Sequence, residues 1–205
     1  MPLVRVEEDW QLRWRLEAAG YKRISNISIV CPHLKTDLDA WKHAVWWGKI
    51  DYKGKTVLDL GADIGSTADF FLRKGAKKVV AVEGSQDNFR TLQTNASILK
   101  GMIPNVLFIE RPSQIEKLIL QYDFDIVKMD IEGGEINLFT VKNEIFSKVA
   151  EYIVEVHSDK LFDLMLKKCA ENNYKIISAK AWSPPVRIIY VRKCQKRVRK
   201  RFFLF

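Results

Sequence analysis

The run Val57-Leu58-Asp59-Leu60-Gly61-Ala62-Asp63-Ile64-Gly65 starts as an apolar strand, meets a carboxylate and breaks into a turn bracketed by glycines. Gly61 and Gly65 let the backbone turn sharply and approach a ligand closely, which a side chain at either position would hinder. A dinucleotide site there has the pattern G-x-G-x-x-G, its backbone amides facing a pyrophosphate at a helix N-terminus. Here the middle glycine is replaced by Asp63. An anion at that place repels a pyrophosphate and suits a ligand that carries positive charge. The next apolar run ends at Glu83-Gly84, about 20 residues on, where an acidic side chain accepts hydrogen bonds from ribose hydroxyls. A cationic nucleoside with a free ribose is S-adenosylmethionine, with its ammonium, sulfonium and unphosphorylated ribose. On this reading Asp59 anchors the turn or meets the ammonium, Gly61, Ala62 and Gly65 shape it, Asp63 faces the amino-acid end and Glu83 holds the ribose. The competing readings are a helix N-terminal acid for Asp63 and a surface carboxylate for Glu83.

A second group stands further along. Asp130 ends the run FDIVKMD and His157 ends YIVEVH. Displacement at a sulfonium methyl needs an in-line nucleophile and a destination for its proton. Asp130 or His157 is the candidate general base, and the ordinary pKa of an imidazole, near neutrality, favours His157. The alternative is that Asp130 only positions the methionine portion or the substrate and that His157 is a satisfied polar residue at a strand end. Asp130, Glu132 and Glu135 in DIEGGE are also hard oxygen donors suited to magnesium. Glu135 at the start of a helix needs no metal, however, because the dipole stabilises an acid there. Lys128 offsets the charge only if its side chain faces the same side of the strand. A magnesium site is therefore the less favoured reading.

The elements that position these groups follow from the hydrophobic pattern. KTVLDL, KKVVAVE, NVLFIE, FDIVKMD and AEYIVEV read as short strands, apolar on both faces as parallel strands covered by helices must be. Between them lie the helical patterns GSTADFFLRKG, SQDNFRTLQTNASIL with Ser85 as its cap, PSQIEKLIL, EINLFTVKNEIF and DKLFDLMLKKCAENN. YKIISAK and VRIIYVR flank AWSPP and form a hairpin at the sheet edge. The expected fold is a doubly wound α/β sheet over residues 51–192. It is preceded by a small N-terminal cap over residues 1–50, with helices in WQLRWRLEAA and DLDAWKHAVWWGK and a short strand in ISNISIV, and followed by a basic tail over residues 193–205. Ligands of such a sheet collect at the carboxyl ends of its strands, where the glycine turn, Glu83, Asp130 and His157 all fall.

The segment VLDLGADIGSTADFFLRKGAKKVVAVEGSQDNFRTLQTNA resembles the first two motifs of class I, Rossmann-like methyltransferases. FDIVKMDIEGGEINLF followed by YIVEVHSD is similar to the FkbM-type methyltransferases, whose K-x-D-x-E-G-x-E signature is matched by Lys128, Asp130, Glu132, Gly133 and Glu135. The resemblance covers about residues 36 to 192. It implies a seven-stranded, mostly parallel sheet with a reversed edge strand, and methyl transfer from S-adenosylmethionine, usually to a hydroxyl oxygen of a small molecule or sugar. Many class I enzymes place an adenine-binding Asp after the third strand; here Pro112 and Ser113 stand in its place, so Ser113 or Gln114 takes over that contact.

Composition narrows the partners. Of the 34 basic residues, seven lie between Arg192 and Arg201 with no acid among them, and the remaining 27 face 25 acidic residues. The body is nearly neutral and the net charge of +9 belongs mostly to the tail, which either stays solvated or meets phosphates, such as those of RNA, anionic lipid or an acidic partner. The alternatives to a small-molecule or sugar acceptor are therefore an RNA methyltransferase that uses the tail and a non-catalytic nucleic-acid or membrane-surface binding module. Three separated cysteines, Cys31, Cys169 and Cys194, lack the spacing of a zinc site or a disulfide framework. No apolar run approaches a bilayer-spanning length, and the first residues carry acids where a secretory signal is apolar. The expectation is a soluble, cytoplasmic protein. Trp41, Trp46 and Trp47 at helical spacing read as core before lid, and WSPP reads as a rigid turn.

Overall fold

The computed structural model describes residues 3–5, 28–30 and 50–194. Strands β1 (Leu3–Arg5) and β2 (Ser28–Val30) pair antiparallel in a small sheet of their own. The two cap helices expected before residue 50, the three tryptophans and the basic tail from residue 195 lie outside the described residues. The main sheet has seven strands: β3 (Thr56–Leu60), β4 (Lys78–Glu83), β5 (Met102–Val106), β6 (Ile126–Met129), β7 (Glu151–Val156), β8 (Tyr174–Ser183) and β9 (Val186–Lys193). Their spatial order is β5-β4-β3-β6-β7-β9-β8. Strands β5 to β7 in that order are parallel, whereas β9 runs antiparallel to both β7 and β8. This is the doubly wound, mostly parallel sheet with a terminal hairpin that the strand pattern requires.

The described residues form six helices, in chain order α1 (Ser66–Arg73), α2 (Gln86–Ile98), α3 (Pro112–Gln121), α4 (Ile136–Phe139), α5 (Asn143–Phe146) and α6 (Asp159–Glu171). Phe70 and Phe71 of α1 and Leu92 of α2 pack with Val57, Val79 and Ala81 on one face of the sheet. On the other face, Leu118 of α3, Phe146 of α5 and Met165 of α6 pack with Leu58, Val80 and Val127. The strands are thus buried on both sides, which is why they read as unbroken apolar runs. No helix among the described residues is long and apolar enough to cross a membrane.

Three boundaries differ from the sequence pattern; one is that β8 runs on to Ser183, so the turn expected over residues 182–185 is confined to Pro184 and Pro185. The third strand of the main sheet in chain order is Met102–Val106 and not Asn105–Glu110, because β4 pairs with it from Val79 opposite Met102 to Glu83 opposite Val106. Pro104 lies inside this strand, a position a proline tolerates because β5 is a sheet edge. The pattern at 135–146 is broken into α4 and α5. Lys142 N–H donates to Glu116 Oε1 (2.9 Å) and Lys168 Nζ donates to the Val141 carbonyl, bonds that draw this backbone out of one continuous helix.

The chain leaves β3 toward α1 at the point where strand order reverses, between β4 and β6. Gly61 has φ 74, and a Cβ there would stand 1.7 Å from the Asp130 carbonyl oxygen, so only glycine lets the two strand ends approach this closely. Gly65 precedes α1 with φ 95, and a Cβ on it would meet Leu92 Cδ1 at 2.9 Å. Beneath the turn lies an ion pair. The register sets Asp59 beside Lys128, their side chains are 0% and 2% exposed, and Lys128 Nζ stands 3.1 Å from Asp59 Oδ1. The same ammonium donates to the Gly61 carbonyl (2.7 Å), and Thr67 of α1 donates its hydroxyl to Asp59 Oδ2. Burial pushes the Asp59 carboxyl up, against the pull of Lys128 and Thr67. For Lys128 burial works downward, and the Asp59 and Asp130 carboxylates outweigh it, holding the ammonium above its ordinary value. Removing one partner of such a pair leaves a buried charge uncompensated. Lys128→Met is therefore expected to lose about 3–5 kcal/mol of stability in urea denaturation, and adding Asp59→Asn is expected to return a large part of it.

Candidate active site

The carboxyl ends of β3, β4 and β6 open onto a cleft of about 680 Å³. Gly61, Ala62 and Asp63 form its floor, Glu83, Gly84 and Ser85 one wall, Leu107, Phe108 and Ile109 a second, and Asp130, Ile131 and Glu132 its far edge. The turn is held from β4: the N–H groups of Gly61 and Ala62 both donate to the Val82 carbonyl at 3.0 Å. Asp63 sits at φ 51, and its N–H donates to Glu83 Oε2 (2.9 Å). The other Glu83 oxygen accepts from Ser85 N–H (2.8 Å). Two backbone donors thus fix this carboxylate at the cleft wall, and each oxygen keeps a second lone pair for a ligand.

Asp59, in contrast, lies beneath the floor and is held by Thr67 and Lys128. Of its two sequence-derived roles, the geometry matches the anchor. Gly65 is likewise absent from the cleft lining; it packs against Leu92 and Met102. Neither Ser113 nor Gln114 lines the cleft. Gln114 Oε1 accepts from the N–H groups of Glu110 (2.9 Å) and Arg111 (3.0 Å), and its Nε2 donates to the Phe108 carbonyl (3.0 Å). Its side chain therefore closes the loop that carries Phe108, which is 69% exposed and offers an aromatic face to the cleft. Sequence reasoning missed Phe108 because it placed this residue inside a strand. The strand's earlier end converts Leu107-Phe108-Ile109 into a cleft wall.

At the far edge, β6 and β7 bring Asp130 and His157 together as their positions at neighbouring strand ends require. His157 Nε2 stands 3.9 Å from Asp130 Oδ1, 3.3 Å from Glu132 Oε2 and 4.0 Å from Glu155 Oε1. Nδ1 stands 3.0 Å from Oε1 of the fully buried Glu135, which also accepts from Gly133 N–H (3.1 Å). Glu135 thus faces the back of the imidazole, not a site shared with Asp130 and Glu132, and its bond turns Nε2 toward the other carboxyls. Burial works to lower the pKa of His157, but Glu135, Asp130 and Glu132 outweigh it and hold the imidazolium above its ordinary range. Burial, with the Asp130 carboxylate adding to it, pushes the Glu155 carboxyl up to about 7. Glu155 was not singled out in the sequence; its signal is the two-residue spacing to His157, which puts both side chains on one face of β7.

The FtsJ-like methyltransferase family model matches residues 43–177. The chain belongs to this S-adenosylmethionine-dependent methyltransferase family. It is 41% identical to the uncharacterized protein 65 of Sulfolobus islandicus filamentous virus over 136 residues, which are 64% of this chain and 78% of the viral protein. It is 32% identical to the uncharacterized protein 158B of Sulfolobus islandicus rod-shaped virus 1 over 125 residues, 59% of this chain and 73% of that protein. Fibrillarin from Aeropyrum pernix, in complex with natively bound S-adenosyl-L-methionine, shares the fold at a TM-score of 0.55 and 15% identity, over 69% of this chain and 68% of fibrillarin. The cleft of this FtsJ-like chain suits the family's cofactor on its own geometry: a floor at Gly61 where a Cβ would drive the turn off the Asp130 backbone, a fixed carboxylate at the wall and the Phe108 side chain beside it.

The raised Glu155 carboxyl gives a signed pH dependence. Between pH 4.5, its ordinary value, and about 7, the folded chain holds a proton that the unfolded chain has released, so stability falls as pH rises across that window. Glu155→Gln keeps the shape and removes the titration. Thermal melts of the two proteins from pH 4.5 to 7.5 should show the variant gaining on the wild type as pH increases; parallel curves would contradict the assignment.

Proposed function

We propose that this FtsJ-like methyltransferase moves a methyl group from S-adenosylmethionine to a hydroxyl oxygen, on a sugar or another small hydroxylated molecule. The observation that carries the reading is the convergence of Asp130, Glu155 and His157 beside the cleft, since an oxygen acceptor needs a destination for its proton. The run Lys128 to Glu135, with its resemblance to the FkbM-type signature, supplies two of the acids at this edge.

Glu83 holds the ribose hydroxyls through its remaining lone pairs, Asp63 faces the cationic amino-acid end, and Gly84 lets Phe108 close against the adenine side. The bound cofactor supplies a methyl carbon on a sulfonium: a C–O bond forms as the C–S bond breaks with its electron pair going to sulfur, and the hydroxyl proton is released. Asp130 or His157 accepts that proton. Glu135 orients the imidazole from behind, so that Nε2 faces the acceptor side. Such positioned bases contribute on the order of 100-fold to 10,000-fold in rate.

RNA is the second reading of the acceptor. It is supported by the basic cluster from Arg192 to Arg201, which suits a phosphate backbone. An RNA ribose is itself a sugar hydroxyl, so both readings use the same chemistry at Asp130 and His157.

Transfer of isotopically labelled methyl to a panel of hydroxylated small molecules, sugars and RNA, with mass analysis of the products, tests the proposal. Methyl ethers are the expected products, with kcat reduced about 100-fold or more in Asp130→Asn or His157→Ala. Products methylated on nitrogen, or full turnover in both variants, would overturn it.

A further inference from the structure

We propose that Asp130, Glu155 and His157 form a binding site for a hard divalent cation, Mn2+ or Mg2+, at the edge of the cofactor cleft. As a metal site it stands on geometry alone; its role in catalysis rests on the methyltransferase reading above and deepens it.

One oxygen from each carboxyl and one ring nitrogen all lie within 4.8 Å of one another. An octahedral ion with bonds of about 2.1–2.2 Å sets cis ligands roughly 3.0 Å and trans ligands roughly 4.3 Å apart, so with the two carboxyls trans the 3.9 and 4.0 Å separations from His157 Nε2 close by about 1 Å through side-chain rotation. The scaffold for this is rigid. Asp130 directly follows β6, Glu155 is the penultimate residue of β7 and His157 directly follows that strand, and the two strands are hydrogen-bonded neighbours. Two carboxylates and an imidazole suit a hard or borderline dication, and the nitrogen favours manganese over magnesium.

Three further observations point to a ligand here. Asp130 Oδ1 is sealed from solvent and accepts no hydrogen bond from the described residues, yet it faces His157 Nε2 at 3.9 Å, beyond hydrogen-bonding distance. Glu135, at 0% exposure, bonds Nδ1 from behind, the outer carboxylate that metal-bound imidazoles characteristically have. Finally, the carboxyls of Asp130, Glu132, Glu135 and Glu155 all stand within 4.0 Å of this one ring. The nearby Lys128 ammonium is engaged with Asp59 and the Gly61 carbonyl. A dication adds to the positive charge that Lys128 and His157 set against these acids.

Asp130 and Glu132 line the cleft, so the ion stands where an acceptor hydroxyl can enter its coordination sphere. Coordination makes the O–H more acidic. The proton then passes to the exposed Glu132 and on to water, and the oxygen keeps the electron pair that forms the C–O bond. Asp130 and His157 in this form hold the ion, and the proton acceptor becomes Glu132.

The test uses the full chain, stripped with a chelator, titrated with MnCl2 by calorimetry and by loss of the free Mn2+ resonance, with neither cofactor nor acceptor added. One saturable site is expected, at least about tenfold weaker in Glu155→Gln and in His157→Ala and unchanged in Asp87→Asn, a remote exposed acid. Circular dichroism establishes that each variant is folded, and Glu155→Gln, which preserves shape, serves if His157→Ala does not fold. Absence of saturable uptake of Mn2+ or Mg2+ by the folded wild type, or equal uptake by Glu155→Gln and Asp87→Asn, would overturn the site. A parallel S-adenosylmethionine titration separates the two ideas: cofactor binding without metal uptake removes the metal site and leaves the methyltransferase reading standing, whereas metal uptake without cofactor binding supports the site and counts against that reading.

Discussion

The buried Asp59–Lys128 pair is the constraint on which the cleft depends. Two charges lie in the centre of a sheet that is otherwise apolar on both faces, an arrangement that costs solvation and persists only with good geometry and further hydrogen bonds. Both conditions hold here. The ammonium bonds the Gly61 carbonyl as well as Asp59, and the carboxylate bonds Thr67 as well as Lys128. One contact therefore ties together β3, β6, the glycine turn and α1 at the place where strand order reverses. Gly61 completes it by letting the Asp130 backbone approach to a distance that any Cβ would forbid. The carboxylates of the cleft then take their positions from backbone already fixed by this knot.

Above the floor, acidic groups dominate, and each is held differently. Glu83 is clamped by two backbone N–H donors, whereas Glu135 is buried against the imidazole that it orients. Asp130 and Glu155 face that imidazole at longer range. A cleft lined this way repels a pyrophosphate and attracts cations, which agrees with the replacement of a dinucleotide glycine by Asp63. It also separates two tasks: the β3 and β4 ends suit a cationic nucleoside, and the β6 and β7 ends suit proton or metal chemistry.

Much of this was legible in the sequence because the informative signals are local. Glycines, a terminal acid and a two-faced apolar run mark a strand end wherever they occur, so the turn, Glu83, Asp130 and His157 could be placed on one edge before any coordinates. Lys128 could not be oriented, since a strand buried on both sides has no polar alternation to say which face a residue takes. Glu155 was hidden for the same reason inside YIVEV. Phe108 and Gln114 depended on where β5 ends, and register against β4, a non-local property, decides that. The expected adenine contacts at Ser113 and Gln114 failed to reach the cleft because Gln114 is engaged by its own loop. The split between α4 and α5 likewise comes from Glu116 and Lys168, distant in sequence.

The central claim is that the glycine turn and the clamped Glu83 form a cofactor pocket, and calorimetric titration with S-adenosylmethionine tests it most directly, comparing wild type with Glu83→Ala and Glu83→Gln. The account predicts one site in the wild type, weakened at least about tenfold in Glu83→Ala through loss of charge-assisted hydrogen bonds, with Glu83→Gln between the two. No binding to the folded wild type, or equal binding by all three proteins, would contradict it.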